Sequence, residues 1–477
     1  MAMQRAVIHF ALMLVAWPLA AQESGPHLGM GFKVGEVSER SAIVWTRLTA
    51  VTKPNPAVLG QEPAQEVADD GIAGLPGAVS GMAGDVSLAI STQASFSDAK
   101  EYPAARVTAA TDFTHKWTVE NLQPATKYFV RVTARGTGGR VTAQKDGSFT
   151  TAPSDDQRVD IRFAVMTCQS HRHRDEGDGF RIYPSMQKAG IRFYVAAGDD
   201  VYYDSDPPLA STVAMARFHW NRMYGLPMLV EFHRHVPGYF EKDDHDSYRN
   251  DGWPPPGTII DSTDVLEGQL NFAKGVKVFR EQNPLAEKTY RTFRWGKGLQ
   301  IWLTEGRDYR SPNNMPDGPE KTIWGREQRE WLKSGILASD ADFKVIISPT
   351  PIVGPDRVNK NDNHSNRGFA YEGNEFRKWT QENKLSNLFI CNGDRHWQYH
   401  SVDPTTGLNE FSCGPASDIH ASGSPGLDPT YHKFHRVLGG FLTVGVSREG
   451  GRPAITFRHH DVNGAVVYEK AFGAPGN

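Results

Sequence analysis

Metal-ligating side chains stand directly behind three short apolar runs of this sequence. Residues 161–167 lead into Cys168, Gln169, Ser170 and His171, residues 191–197 into Gly198, Asp199, Asp200, Val201 and Tyr202, and residues 387–392 into Gly393, Asp394, Arg395 and His396. Between the last two lies an acidic stretch, Asp243, Asp244, His245 and Asp246, followed by Asn250 and Asp251. In α/β folds the loops after the strands converge on one crevice, so these thiol, phenol, carboxylate and imidazole groups would meet there. Soft and hard donors gathered in one place suit metal cations. Each element alone has a plainer reading: a Gly-Asp pair after a strand is commonly a turn, an acidic run is commonly a solvated loop, and His396 can simply be bonded to Asp394. Their occurrence together, in order, argues for one site.

The elements that must position these groups fall into two regions of different texture. Residues 27–153 show no sustained helical period and are rich in Val, Thr, Gly and Ser, with strand-like runs at 41–48, 115–120, 127–135 and 146–151. An immunoglobulin or fibronectin III-like β-sandwich is predicted there, because Trp45 lies in an alternating strand and Leu122, Pro124 and Tyr128 have the spacing of the corner that fixes such sheets. Residues 55–85, dense in Gly, Ala and Pro, read as a long loop between strands. From 159 to 473, short apolar runs at 161–167, 191–197, 300–304, 343–348 and 387–392 alternate with helical patterns such as 325–338, which predicts an α/β layered domain. Residues 439–472 return to strand-like alternation, enough for a second sheet.

Composition narrows the partners. Across 477 residues, 52 Lys and Arg against 55 Asp and Glu leave a net charge of −3, no electrostatic footprint for a stable nucleic-acid complex or an anionic membrane. The 46 Gly and 30 Pro exclude an all-helical fold. Arg5, the apolar run 6–19 and the small pair Ala20 and Ala21 read as a secretory signal over residues 1–21, which predicts a periplasmic or secreted chain without a transmembrane anchor. Of the three cysteines at least one must be unpaired; Cys391 and Cys413 read as small buried hydrophobes, and Cys168 as a ligand.

Thr167-Cys168-Gln169, Gly198-Asp199-Asp200-Val201-Tyr202, Asp243-Asp244-His245-Asp246 and Gly393-Asp394-Arg395-His396 together resemble the motifs of the PhoD-like alkaline phosphatases and phosphodiesterases, a branch of the calcineurin-like metallophosphoesterases. Gln328, Trp331 and Leu332, and Val44-Trp45-Thr46-Arg47 in the first region, add to the resemblance, which extends over nearly the whole mature chain. It implies a metallophosphoesterase domain built as an αββα sandwich, with a mixed site for ferric iron, Fe(III), beside one or two calcium ions, Ca(II). It further implies Cys168, Asp199, Tyr202 and His396 as iron ligands, with Asp199 bridging to calcium and Asp394 joined there by Asp244 or Asn250. His245 matches a family histidine near the leaving group. The donor chemistry is consistent: phenolate and thiolate supply the charge density a trivalent ion favours, and carboxylate and amide oxygens suit calcium. Two cations straddling a phosphate polarise its oxygens and activate water for in-line attack.

Arg307 and Arg310, behind the run 300–304, are expected to offer forked donors to phosphate oxygens, so that losing Arg307 should spare the metals. Two positions depart from the family pattern, Lys242 before the acidic stretch and Glu305 before Arg307, and are expected to border the substrate. Residues 248–274 and 364–371 are expected to rim the pocket. The function this predicts is a metal-dependent hydrolase of phosphate mono- or diesters, its substrate a small-molecule, lipid or nucleotide ester, with a phospholipase D-like phosphodiesterase of the same family as a variant. Two other classes compete: a non-catalytic calcium-binding surface or adhesion protein, and a carboxylate-pair glycosidase. Cys168 and Tyr202 count against the first, since neither is a usual calcium ligand, and the second needs two lone carboxyls, whereas the acidic residues here sit in metal-ligand clusters. Every proposed ligand lies from Cys168 onward, so a chain beginning near Asp155 is expected to keep the ligand set.

Overall fold

The computed structural model describes residues 25–259 and 266–474, and the leader 1–21 lies outside them. Strands β1 (Phe32–Gly35), β2 (Ser41–Arg47), β3 (Gly84–Ser91), β4 (Lys100–Val107), β5 (Thr114–Glu120), β6 (Lys127–Arg135) and β7 (Val141–Thr150) form the first region. Next come β8 (Ile161–Met166), α1 (Ile182–Lys188), β9 (Phe193–Ala197), α2 (Val213–Tyr224), α3 (Pro227–His233), β10 (Gly238–Glu241) and α4 (Phe272–Gln282). They are followed by β11 (Arg291–Trp295), β12 (Leu299–Leu303), α5 (Gly325–Ala338), β13 (Phe343–Ser348), α6 (Ala370–Glu382) and β14 (Leu388–Asn392). Strands β15 (Gln398–Val402), β16 (Asn409–Cys413), β17 (His432–Arg436), β18 (Phe441–Glu449), β19 (Arg452–His460) and β20 (Val466–Gly473) complete the chain.

Three sheets organise these strands: a nine-stranded one ordered β20-β19-β18-β8-β9-β10-β1-β2-β5, a seven-stranded one ordered β11-β12-β13-β14-β16-β15-β17, and a four-stranded one ordered β4-β3-β6-β7. One apolar core joins all three, with Val86 and Val130 from the smallest sheet, Phe163 and Val195 from the largest, and Val345 and Phe389 from the third. The four- and seven-stranded sheets therefore cover the same face of the nine-stranded sheet. Helices α1 to α4 cover its other face around Tyr194, Trp220 and Phe240. Leu332 and Ile336 of α5 and Phe376 of α6 cover the outer face of the seven-stranded sheet. The result is the expected αββα sandwich with a β-sandwich continuing it.

Local sequence explains the layering. Strands buried on both faces carry continuous apolar runs, as in Phe193–Ala197, where every residue is buried. In β2, Ala42 and Val44 enter the central core while Trp45 faces the helices and donates its indole N–H to Glu281 O at 2.8 Å. At the sandwich corner, Tyr128 Oη accepts the Gln123 N–H at 2.8 Å, the bond that the Leu122, Pro124 and Tyr128 spacing predicts. Residues 55–85 are largely loop, broken by a 3₁₀ segment at Asp69–Gly74, and β3 begins at Gly84. The C-terminal strands make no second sheet: β18 pairs antiparallel with β8, extending the largest sheet. Cys391 and Cys413 are free and buried in the central core.

The change of texture near residue 155 is not a break in the sheet. Strand β1 pairs in parallel with β10 at Gly35 and Gly238, so tight an approach that a Cβ on Gly35 would lie 2.9 Å from Gly238 O. Lys33 of β1 donates to Gln282 O at 2.6 Å and Asn283 Oδ1 at 2.9 Å, and Glu36 pairs with Arg291 at 2.8 Å. A chain beginning near Asp155 would leave the β10 edge unpaired and strip one cover from the central core. Contrary to the expectation from ligand positions alone, such a chain should be insoluble or melt without a cooperative near-ultraviolet transition. A soluble, cooperatively melting product would show this pairing to be dispensable.

Candidate metal centre

Three ligand-bearing strand ends share an uncommon backbone. Cys168 after β8, Asp199 after β9 and Asp394 after β14 have φ of 52°, 58° and 62°, in the left-handed region. For non-glycine residues such conformations cost about 1–3 kcal/mol each and persist where the surroundings over-determine them. Here the surroundings are neighbouring strand ends of two sheets packed face to face. A Cβ on Gly393 would lie 2.2 Å from Ala197 O and 2.7 Å from Thr167 Oγ1, so only glycine fits the junction. Thr167 Oγ1 donates to Gly198 O at 2.9 Å and accepts the Asp394 N–H at 3.3 Å, tying all three strand ends together. Asp246, fully buried, accepts the N–H groups of Asp243 at 2.7 Å and Asp200 at 3.1 Å, which binds the acidic stretch to the same junction.

Donor atoms converge on Asp199. Its Oδ2 lies 3.3 Å from Cys168 Sγ and 3.3 Å from Tyr202 Oη, and that hydroxyl lies 3.5 Å from His396 Nε2. Asp199 also groups with Asp244 and His245, and with Asp243 and Asp394, each set offering ligand atoms within 4.8 Å of one another. Asp199 Oδ1 and Asp243 Oδ2 are buried and have no hydrogen-bond partner. Asn250 is exposed on the wall of an adjoining cavity of about 350 Å³ that His245, Asp394 and His396 also line, its backbone N–H donating to Asp204 Oδ2 at 2.6 Å. Asp243, which sequence reasoning left out of the ligand set, is thus placed as closely as Asp244.

Electrostatics show what the cluster lacks. Burial, with repulsion from Asp244 and Asp243 and partial relief from His245, pushes Asp199 up to about 8. Burial first, then Asp199, raises Cys168 and Tyr202 well above their ordinary values. His396 is driven down by burial and by His420, so its ring is neutral. A buried set of carboxylates, thiol, phenol and neutral imidazole with orphaned oxygens fits cations that would replace the missing positive charge. His245 is opposed by burial, but Asp244, Asp199 and Asp204 outweigh it and raise the imidazole to about 10, with Nδ1 donating to Asp204 Oδ1 at 2.6 Å.

The two arginines expected at the phosphate lie elsewhere. Arg307 is fully buried beneath the acidic stretch, its Nε donating to Asp243 Oδ1, its Nη1 to Gly252 O at 3.2 Å, and its Nη2 3.7 Å from Asp244 Oδ1. Arg310 is buried too, donating to Asp362 O, and neither lines the cavity. Adjacent buried carboxylates need a fixed countercharge more than the substrate needs these guanidiniums. The departures at Lys242 and Glu305 also resolve: both are buried away from the cavity, and Lys242 Nζ pairs with Glu305 Oε2 at 2.6 Å and Asp308 Oδ1 at 2.7 Å. They compensate each other and do not border the substrate. Of the expected rim, Asn250 and Asp251 line the cavity, part of 248–274 lies outside the described residues, and His364 is buried against Glu372 at 2.9 Å.

Sequence reasoning missed two neighbours of the cluster. His420, in the Gly-rich segment after β16 that reads as a flexible loop, lies with its ring 4.1 Å from that of His396 at a tilt of 47° and donates Nδ1–H to Cys168 O at 3.0 Å. Asp204, one residue past Tyr203, anchors His245, and only its acidic neighbourhood signals it. Because Asp199, Cys168 and Tyr202 hold their protons when no cation is bound, metal uptake by stripped protein should release protons and tighten as pH rises from about 6 to 8. Calorimetry in buffers of different ionisation enthalpy checks this; pH-independent uptake would contradict it. Arg307→Ala should lose metal and about 3–5 kcal/mol of stability, since it strands a buried carboxylate, whereas a purely substrate-binding arginine would spare both.

Comparison with known proteins follows the same outline. Residues 163–435 match the family model of the PhoD-like phosphatases, and residues 14–153 match that of the PhoD-like phosphatase N-terminal domain. No curated protein matches the sequence. Among solved structures, that of PhoD superposes with a TM-score of 0.72 at 15% identity, covering 94% of this chain and 91% of that one. The purple acid phosphatase PPD1 from yellow lupin (Lupinus luteus) seeds superposes with a TM-score of 0.62 at 11% identity, covering 93% and 74%. Both likenesses establish the fold. With a family match that spans more than half of the sequence and takes in every residue of the cluster, the chain belongs to the PhoD-like phosphatase family.

Proposed function

We propose that this protein is a secreted phosphoesterase that hydrolyses phosphate mono- and diesters at a site holding ferric iron and calcium. The observation that carries the reading is the convergence of Cys168, Tyr202 and His396 on the Asp199 carboxylate, with Asp243, Asp244 and Asp394 grouped around it, in a PhoD-family chain. Thiolate and phenolate beside a shared carboxylate suit iron, and the all-oxygen acidic flank suits calcium. Calcium alone would leave Cys168 and Tyr202 without a role, which disfavours a non-catalytic calcium-binding protein. When bound, such cations polarise a phosphate and acidify a water.

The chain's own residues do the rest. Asp204 fixes the His245 ring through Nδ1–H and leaves the other nitrogen for the substrate. His245, protonated and lining the cavity, is placed to give a proton to the departing alkoxide. The cavity, about 350 Å³, admits the phosphate and part of a leaving group and leaves lipid, nucleotide and small-molecule esters open. Residues 1–21 would direct export.

The test is hydrolysis of p-nitrophenyl phosphate and bis-p-nitrophenyl phosphate, with iron and calcium present and stripped. Activity should rise through neutral pH as the ligand protons leave, then fall at alkaline pH as His245 deprotonates, below about 10 because bound cations would offset the Asp244 and Asp199 charges that raise it. Tyr202→Phe should bleach or shift a visible charge-transfer band of the iron-loaded protein. Undiminished turnover after confirmed removal of both metals would sink the mechanism.

A further inference from the structure

One wall of the cavity is formed by the segment 352–366, of which sequence reasoning singled out only the end, from 364. It contains no helix or strand, yet it is fixed at many points. Glu410, fully buried, accepts the N–H groups of Ile352 at 2.6 Å, Val353 at 2.9 Å and Gly354 at 2.8 Å. Asn363 Nδ2 donates to Asp356 Oδ2 at 2.8 Å, and Asn366 Nδ2 donates to Arg357 O at 2.6 Å. A long irregular loop held this firmly is typical of a functional surface.

It carries two cations into the cavity lining, Arg357 and Lys360. Lys360 is already engaged by Asp251, with Asp362 Oδ2 at 3.4 Å. Arg357 is held more loosely: its Nε lies 3.6 Å from Asp356 Oδ1, an ion pair beyond hydrogen-bond reach, and makes no hydrogen bond. The guanidinium reaches toward the opposite wall, where a Cβ on Gly423 would lie 3.4 Å from its Nη1. With Arg307 and Arg310 buried and away from the cavity lining, Arg357 is the guanidinium among the described residues that line it.

We infer that Arg357 is a specificity-determining residue that favours phosphate monoesters over diesters, an inference that rests on the phosphoesterase reading. A monoester above its second pKa of about 6 carries three charged non-bridging oxygens, while a diester has two and a second organic group. With the phosphorus held over the donor cluster, the third oxygen meets Arg357, whose fork donates charge-assisted hydrogen bonds to it. A diester presents a neutral ester oxygen and bulk there instead.

The experiment compares holoenzyme, Arg357→Ala and Arg357→Lys by kcat/KM on p-nitrophenyl phosphate and bis-p-nitrophenyl phosphate. Metal content and calorimetric affinity for inorganic phosphate are measured alongside. In Arg357→Ala the monoester-to-diester ratio should fall about tenfold or more and phosphate affinity should weaken by a similar factor, with metals retained and partial recovery in Arg357→Lys. An unchanged ratio, equal loss on both esters, or loss of metal would overturn the inference. If the wild type cleaved neither ester, the phosphoesterase reading would fall, and phosphate affinity equal in wild type and Arg357→Ala would still separately overturn the role of Arg357.

Discussion

Holding Asp199, Asp243, Asp244 and Asp394 close together away from water is the constraint on which the rest of the molecule depends. In a low-dielectric interior, several like charges cannot all remain ionised without compensation, and isolated buried ions cost several kcal/mol each. The chain supplies part of that compensation itself. Arg307 sits under Asp243 and Asp244, Arg395 lies between Asp394 and Asp356, and protonated His245 faces Asp199 and Asp244. What these cations leave uncovered are the inward oxygens, Asp199 Oδ1 and Asp243 Oδ2. Metal binding therefore completes an electrostatic balance begun by the protein.

The same constraint explains why so much polar structure is buried behind the site. Lys242 with Glu305 and Asp308 forms a buried ionic group directly beside the acidic stretch. Replacing one member alone would strand the others, so the Lys242 and Glu305 departures from the family pattern make sense as a pair. Asp246 serves the backbone alone, satisfying two N–H groups where the loops cross. Neighbouring aspartates thus have two different tasks: Asp243 and Asp244 face the cluster, and Asp246 holds the loop that presents them.

Much of this was legible in the sequence where one signal had one meaning. Apolar runs followed by Cys168, Asp199 and Asp394 gave the strand ends, because strands buried on both faces can be read without alternation and the loops behind them converge. The corner at Tyr128 and the helix at Gly325–Ala338 were equally readable. Arg307 was not, because an arginine behind a strand looks the same whether it faces a phosphate or a buried carboxylate, and three-dimensional depth decides. Arg357 and His420 were hidden for the opposite reason: both sit in irregular, Gly-, Asn- or Ser-rich segments whose composition reads as flexible, while their order comes from distant partners such as Glu410 and the Cys168 carbonyl. The split at residue 155 was legible as texture but not as mechanics, since a single parallel pairing, β1 with β10, carries one sheet across it.

That pairing bears on the site itself. The strand next to β10 on its other side is β9, whose end bears Asp199, and β8 beside it ends at Cys168. Lys33, entering from β1, lies with its ammonium 3.8 Å over the Tyr224 ring, and the Tyr224 hydroxyl is 3.4 Å from Gln169 Nε2, which donates to Asp200 Oδ1 at 3.1 Å. A chain of contacts therefore runs from the β-sandwich to the residues flanking Cys168 and Asp199. Left-handed strand ends hold their geometry only while the sheets behind them are fixed. The β-sandwich, which holds none of the clustered residues, supplies part of that fixation, so the geometry of the cluster is a property of the joined sheet.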